Sequence, residues 1–194
     1  MARDRASRPE ARPLRLFIAI DVPGDVRSSL AAAIEPVRER HPGKWVPSQN
    51  WHVTMKFLGS TWPRLVDWVA GICEEVASGH RPFESALAGL GAFPNPRRAR
   101  VLWAGLTDPE RRMAAIAAAL DEALTREFKV ETRGFTAHLT VARFDPPAPL
   151  EEALGGIEVS SDAFPVDRLV LYRSHLQRPA PRYEPLREFP LGGR

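Results

Sequence analysis

Trp51-His52-Val53-Thr54-Met55-Lys56-Phe57 and Ala137-His138-Leu139-Thr140-Val141-Ala142-Arg143-Phe144 share one short pattern: His, an apolar residue, Thr, then another apolar residue. Both stretches alternate well enough to be β-strands. On a strand, residues two apart point to the same side, so each His stands beside its Thr at roughly 7 Å while the intervening apolar residue faces a core. The pattern recurs 86 residues along and takes two of the five histidines. A single His-x-Thr on a strand means little. Two copies predict one cleft, lined by both strands, that presents two imidazoles and two hydroxyls to a shared ligand.

That set of groups suits displacement at phosphorus. An in-line attack needs a base for the incoming oxygen and an acid for the oxygen that departs on the opposite side. Two histidines titrating near neutrality can hold those opposite protonation states together. The Thr hydroxyls can donate to the non-bridging oxygens, where charge accumulates, without a metal or other cofactor. No His-Glu-x-x-His or similar spacing completes a metal shell around His52 or His138. His41 and His80 sit in Pro- or Gly-bearing loops and His175 ends a strand, so these three are read as non-catalytic.

The strands on either side set the fold class. Leu16 to Ile20 reads as a buried strand with Leu16, Ile18 and Ile20 on one face, followed by a helix capped at Asp25 and ended by His41-Pro42-Gly43. Lys44 to Val46 is a short strand, and the first His-x-Thr strand runs from Trp51 until Gly59 stops it. A helix opens at Pro63, with Leu65, Trp68, Val69, Ile72, Cys73 and Val76 at helical spacing. Cys73 falls on that apolar face and is read as buried and structural. Phe83 to Leu90 and Val101 to Leu106 read as strands around a Pro-rich basic loop, Gly91 to Arg100. Thr107-Asp108-Pro109-Glu110 offers a capping box and a first-turn proline to a helix striped by Met113, Ile116, Ala117, Leu120 and Leu124. Strands follow near Lys129 to Arg133 and from His138 to Phe144, then a short helix at Pro149 to Leu154 and strands near Val166 to Leu176 and Tyr183 to Phe189. Strands and helices are interspersed with few parallel-crossover units, which predicts an α+β domain over 14–194.

Composition narrows the function classes. The chain has 194 residues, 44% hydrophobic and 26% charged, with one cysteine. That cysteine count excludes an intramolecular disulfide and a thiolate zinc cluster. No apolar run approaches the ~20 residues of a membrane span. Residues 1–13 carry four Arg, two acids and two Pro without an apolar stretch, and read as a disordered tail rather than a secretion or mitochondrial signal, which predicts a cytoplasmic protein. That tail supplies +2 of the net charge of +3. Overall basicity therefore says little about nucleic acid; a local arginine loop, Arg97, Arg98 and Arg100, says more.

These residues resemble the 2H phosphoesterases, in particular the bacterial and archaeal RNA 2′,3′-cyclic phosphodiesterases, also called 2′-5′ RNA ligases. The likeness covers nearly all of the chain after the tail. It rests on Arg15-Leu16-Phe17-Ile18-Ala19-Ile20-Asp21, His52 to Gly59, Arg100 to Leu106, His138 to Arg143, Leu169 to Ser174 and Tyr183-Glu184-Pro185-Leu186. Two positions depart from the family pattern: Ala137 stands where Pro usually precedes the second His, and Ser60 where an acid often follows Phe-Leu-Gly. Neither removes a catalytic group.

The resemblance implies a bilobal α+β fold with pseudo-twofold symmetry, two antiparallel sheets lining a central groove and helices outside. It implies metal- and cofactor-independent opening of RNA 2′,3′-cyclic phosphate ends, tRNA fragments among them, to 2′-phosphomonoesters by a monomer, with reverse 2′-5′ joining. The alternatives are a small nucleotide-type cyclic phosphate as substrate and a non-catalytic RNA-binding module. Carried over by motif, His52 is the general acid, His138 the general base, and Thr54 and Thr140 hold the phosphate. The near-symmetry of the two motifs leaves acid and base interchangeable on residue type alone. Arg143 falls on the opposite strand face from Thr140 in regular geometry, near the strand end and the groove. Phe17 is either a flank for the nucleotide or a core residue. Arg97, Arg98 and Arg100 are either contacts to the RNA backbone or a solvated loop.

Overall fold

In the computed structural model, which describes residues 12–192, the first strand β1 (Leu14–Asp21) has Leu16, Ile18 and Ile20 almost wholly buried, as its apolar run dictates. The tail expected over 1–13 lies outside the described residues except for its last two. Helix α1 (Gly24–Arg40) buries Val26, Leu30, Ile34 and Val37, and carries Pro36 within its span. After the two-residue strand β2 (Lys44–Trp45) comes β3 (His52–Thr61), the first motif strand. Helix α2 (Val66–Ser78) follows, with Cys73 fully enclosed and its thiol pushed up to about 12 by burial, so it holds no thiolate at neutral pH. The chain continues through β4 (Phe83–Ser85), β5 (Leu87–Phe93), β6 (Ala99–Leu106), α3 (Arg112–Ala123) and β7 (His138–Ala148), the second motif strand. It closes with α4 (Glu151–Gly155), β8 (Phe164–Val166), β9 (Arg168–His175) and β10 (Arg182–Pro190).

The architecture is α+β and antiparallel, as expected. Strands run in the order β10-β9-β1-β3-β7-β6-β5, with β2 beside β7 and a separate pair β4-β8. Two halves are evident in the pairing. β1 follows β3 over eight partner pairs and β6 follows β7 over six, whereas β3 and β7 meet at one pair, Val53↔Leu139. Residues of both β3 and β7 line the same two cavities, which form a groove along that seam. The apolar stripes of α1, α2 and α3 join the core that backs the strands, with α2 against α3, β9 and β10, and α3 against β3.

Local departures from the expected elements have identifiable causes. Residues 129–137 form no strand: the Lys129 carbonyl accepts from the Lys56 ammonium and the Glu131 amide donates to the Asp121 carboxylate, so their polar groups are taken by side chains instead of a ladder. The expected strand Phe83 to Leu90 is divided at Ala86, because β4 pairs with β8 and β5 with β6. Helix α3 begins after a 3₁₀ turn at Pro109–Arg111, and the cap is the Asp108 carboxylate accepting from the Met113 and Ala114 amides, not Thr107. Gly59 does not end β3. Its φ of +67°, open to glycine without a Cβ penalty, lets the strand continue across a register shift to Thr61.

Candidate active site

The seam pair decides the geometry. Val53 and Leu139 are the residues between His and Thr in the two motifs, so continuing the antiparallel register sets His52 across from Thr140 and Thr54 across from His138. The two histidines occupy the diagonal, roughly 7–8 Å apart at the backbone in regular geometry. Val53 and Leu139 point to the core and are fully buried, which turns all four polar side chains to the groove.

Both imidazoles are held the same way. His52 Nδ1 lies 2.7 Å from the Asn50 carbonyl, and His138 Nδ1 lies 2.8 Å from the Thr136 carbonyl. A carbonyl only accepts, so each Nδ1 carries the proton and each Nε2 is left to take up or release one. Burial lowers the His52 pKa, with the Asn50 bond and the Asp21 carboxylate acting against that shift. Asp21 is the register partner of His52 and accepts from the Tyr172 hydroxyl at 2.8 Å, while burial pushes the Tyr172 phenol up. Phe17 stacks on His52 (centroids 4.7 Å) and on Tyr172 (5.2 Å), and Tyr183 meets His52 edge-on at 5.2 Å. Phe17 is thus a buried residue and a wall of the site at once, because its ring backs the imidazole.

The outcome for Arg143 depends on a β-bulge that both motif strands contain. Opposite β1, the register steps from Lys56 to Thr54 and skips Met55; opposite β6, it steps from Ala142 to Thr140 and skips Val141. The extra residue inverts the alternation beyond it. Lys56 and Ala142 therefore turn inward, while Phe57 and Arg143 turn out to the groove. Regular alternation set Arg143 on the face away from Thr140; the bulge brings it to the same groove, where it borders the cavities on both sides of the seam.

Those two cavities meet at Thr54, Phe57, His138, Thr140 and Arg143. The aromatic cavity, about 720 Å³, is bordered by His52, Phe17, Trp45 and Tyr183. The arginine cavity, about 1030 Å³, is bordered by Arg100, Arg111, Arg133 and Phe93, and reaches His138 but not His52. Of the three loop arginines, Arg100 lines the arginine cavity, whereas Arg97 and Arg98 border neither of these two cavities. Arg97 turns to Glu151 (3.0 Å) at α4, and Arg98 lies in the 3₁₀ turn capped by Asn95. The wall near His138 is fixed by close packing: the Trp103 ring lies where a Cβ on Gly91 would be, at 2.1 Å.

Sequence reasoning missed several residues of the site. Lys56 is buried to 2% exposure, bound to Asp121 and the Lys129 carbonyl, and so anchors the segment that leads into His138. The buried Asn50 joins its carbonyl grip on His52 to a side-chain bond on the Pro181 carbonyl (2.7 Å), fixing the loop at the mouth of the aromatic cavity. A lysine within the otherwise apolar run Met55 to Leu58 was the available signal for the first; the second had none.

A family model for the 2′-5′ RNA ligase superfamily matches residues 26–178. The chain belongs to that superfamily. Within it, the chain is 31% identical over 183 residues to a Geobacillus stearothermophilus protein named RNA 2′,3′-cyclic phosphodiesterase, covering 91% of this chain but 57% of that one. It is 34% identical over 189 residues to the protein of the same name from Thermus thermophilus, covering 93% of this chain and 91% of the other. A solved structure of a Thermus thermophilus protein superimposes with a TM-score of 0.80 at 28% identity, covering 93% of this chain and 99% of that one. The resemblance read from the motifs, and the 2H phosphoesterase fold it implied, are therefore borne out. Among the described residues of this superfamily member, no helix is long and apolar enough to cross a membrane.

Proposed function

We propose that the protein opens 2′,3′-cyclic phosphate ends of RNA to 2′-phosphomonoesters by metal-independent acid–base catalysis between His52 and His138. The observation that carries this reading is the matched pair of imidazoles, each with Nδ1 tied to a carbonyl and Nε2 free, across one residue pair of the seam. The Geobacillus and Thermus relatives both carry a name for this activity.

His52 borders only the aromatic cavity, where Trp45 and Tyr183 offer surfaces for a nucleobase to stack. A nucleoside seated there aims its departing O3′ at His52, the acid. Water enters from the opposite side, where His138 takes its proton. The P–O3′ bond breaks as the new P–O bond forms, and the 2′-phosphate remains. Thr54 and Thr140 donate to the non-bridging oxygens, and the Arg143 guanidinium meets the charge that builds there. Burial lowers the His52 pKa; the anionic phosphate acts against that shift, favouring the imidazolium and so loading the acid as substrate enters. The same steps join ends when a 5′-hydroxyl replaces water, giving a 2′-5′ linkage.

The test is a cyclic mononucleotide incubated with the protein in EDTA, with product identification. The expected product is the 2′-phosphate, with His52→Ala and His138→Ala each at least about 100-fold slower. A 3′-phosphate product, or full activity in either variant, refutes the mechanism.

A further inference from the structure

The arginine cavity is larger than attack by a water molecule requires. We infer that it is an acceptor site, which binds the 5′-hydroxyl end of a second polynucleotide so that its 5′-oxygen replaces water at the phosphorus. The inference rests on the proposed phosphodiesterase chemistry and deepens it by assigning the second substrate a place.

Position is the first argument. Entering and leaving oxygens lie on opposite sides of an in-line displacement. The aromatic cavity touches both histidines, whereas the arginine cavity touches His138 alone. Whatever fills the arginine cavity therefore lies on the side of the base and away from the acid, which is the place of the attacking group. Its volume of about 1030 Å³ is at the scale of sites for whole small molecules.

Chemistry is the second. Arg100, Arg111 and Arg133 line the cavity, and among the described residues neither Arg111 nor Arg133 has a carboxylate partner. Arg100 stands 3.6 Å from the exposed Asp145. Two acids share the lining: Asp121, already bound to Lys56, and Glu131. The balance is cationic and fits a phosphodiester backbone. Phe57 and Phe93 both border the cavity; the Arg15 guanidinium lies over the Phe57 ring (4.6 Å) and Phe93 packs against Trp103 and His138, but the two remain 44% and 38% exposed, and that exposed surface suits base stacking.

The backbone supplies a third. Glu110 and Arg111 have φ of 54° and 57°, a left-handed region that non-glycine residues enter at a cost. This turn precedes α3 and sets Arg111 at the cavity rim, while Ala114, Ala117 and Ala118 leave the helix wall below it free of bulk.

In the joining step, the 5′-oxygen bonds to phosphorus as its proton passes to His138 Nε2. The P–O3′ bond breaks, and His52 gives its proton to O3′. The cyclic ester supplies the leaving group, so no further reactant is consumed. Cleavage of a 2′-5′ linkage is the same path reversed, with the downstream nucleotide departing into the arginine cavity.

The experiment compares the wild type with Arg111→Asn/Arg133→Gln; asparagine tolerates the left-handed backbone at position 111. Two substrates are used: a cyclic mononucleotide for hydrolysis, and a short RNA with one internal 2′-5′ linkage and three nucleotides beyond it for cleavage. Lost contacts to charged phosphate are expected to cut kcat/KM for cleavage roughly tenfold, chiefly through KM. Hydrolysis of the cyclic mononucleotide, which also reports that the variant is folded, stays within about twofold, since its nucleoside sits in the other cavity. Equal losses on both substrates place the cyclic nucleotide in the arginine cavity and overturn the assignment. Unchanged cleavage overturns it, as does a wild type that hydrolyses the mononucleotide but neither cleaves nor forms a 2′-5′ linkage. A wild type inactive on the mononucleotide defeats the phosphodiesterase reading itself, and this inference with it.

Discussion

Replacing Lys56 by Met tests whether the buried ion pair beneath the groove holds the His138 side of the site together. Lys56 is 2% exposed and is bound by the Asp121 carboxylate and the Lys129 carbonyl. Removing one member of a buried pair costs about 3–5 kcal/mol, because the other charge is stranded. The Asp121 side chain keeps 17% exposure and two bonds from the Glu131 amide, so part of its charge stays solvated and the lower end applies, about 3 kcal/mol. For a domain of this length that is a fall in Tm of about 8 °C. Asp121→Asn strands the ammonium instead, which has no water to turn to, and is expected to cost more, about 4–5 kcal/mol. The double variant Lys56→Met/Asp121→Asn removes both charges and should be more stable than the two single losses added together. Urea unfolding of the four proteins measures all of these. Activity should follow: releasing the Lys129 and Glu131 backbone loosens residues 129–137, whose Thr136 carbonyl orients His138, so Lys56→Met lowers kcat more than it raises KM. A loss under about 1 kcal/mol for Lys56→Met, or strict additivity in the cycle, refutes the pair as an anchor.

Three further outcomes are expected. The His52 pKa is lower in the folded protein than its ordinary 6.5, so the stability linked to it is full above that value and is lost as pH falls through the folded value. His52→Asn should therefore flatten the decline of Tm between about pH 7.5 and 5.5; an unaltered decline shows that other groups carry it. Arg143→Gln should lower kcat/KM on a cyclic mononucleotide at least about tenfold, with Arg143→Lys restoring only part, because the fork geometry is lost. A neutral effect of Arg143→Gln would mean that the bulge does not bring the guanidinium to the phosphate. Arg100→Glu should weaken binding of an RNA oligonucleotide, whereas Arg97→Glu should leave it nearly unchanged, because the Arg97 guanidinium faces Glu151; competition binding at low salt separates them, and equal weakening by both contradicts the lining of the arginine cavity.

Much of the site is legible in residue order alone. The two His-x-Thr strands are visible because alternation is local: a polar pair two residues apart with an apolar residue between them can satisfy a half-buried strand in only one orientation. The helical stripes and the buried Cys73 follow from the same kind of periodicity. Residues 129–137 escape that logic, since side-chain partners on β3 and α3 replace the expected ladder and nothing nearby in sequence announces Lys56 or Asp121 as those partners.

By itself, then, the sequence determined the chemical inventory and its two strands, since both depend on residue type and on a period of two. Tertiary structure decided which residues share the groove. A bulge exists only relative to the strand it faces, so the skipped Met55 and Val141, and with them the inward turn of Lys56 and the outward turn of Phe57 and Arg143, arise from pairing with β1 and β6. The separation of Arg100 from Arg97 is likewise a matter of long-range partners: one arginine borders a cavity shared with His138, and the other is drawn to a carboxylate on α4.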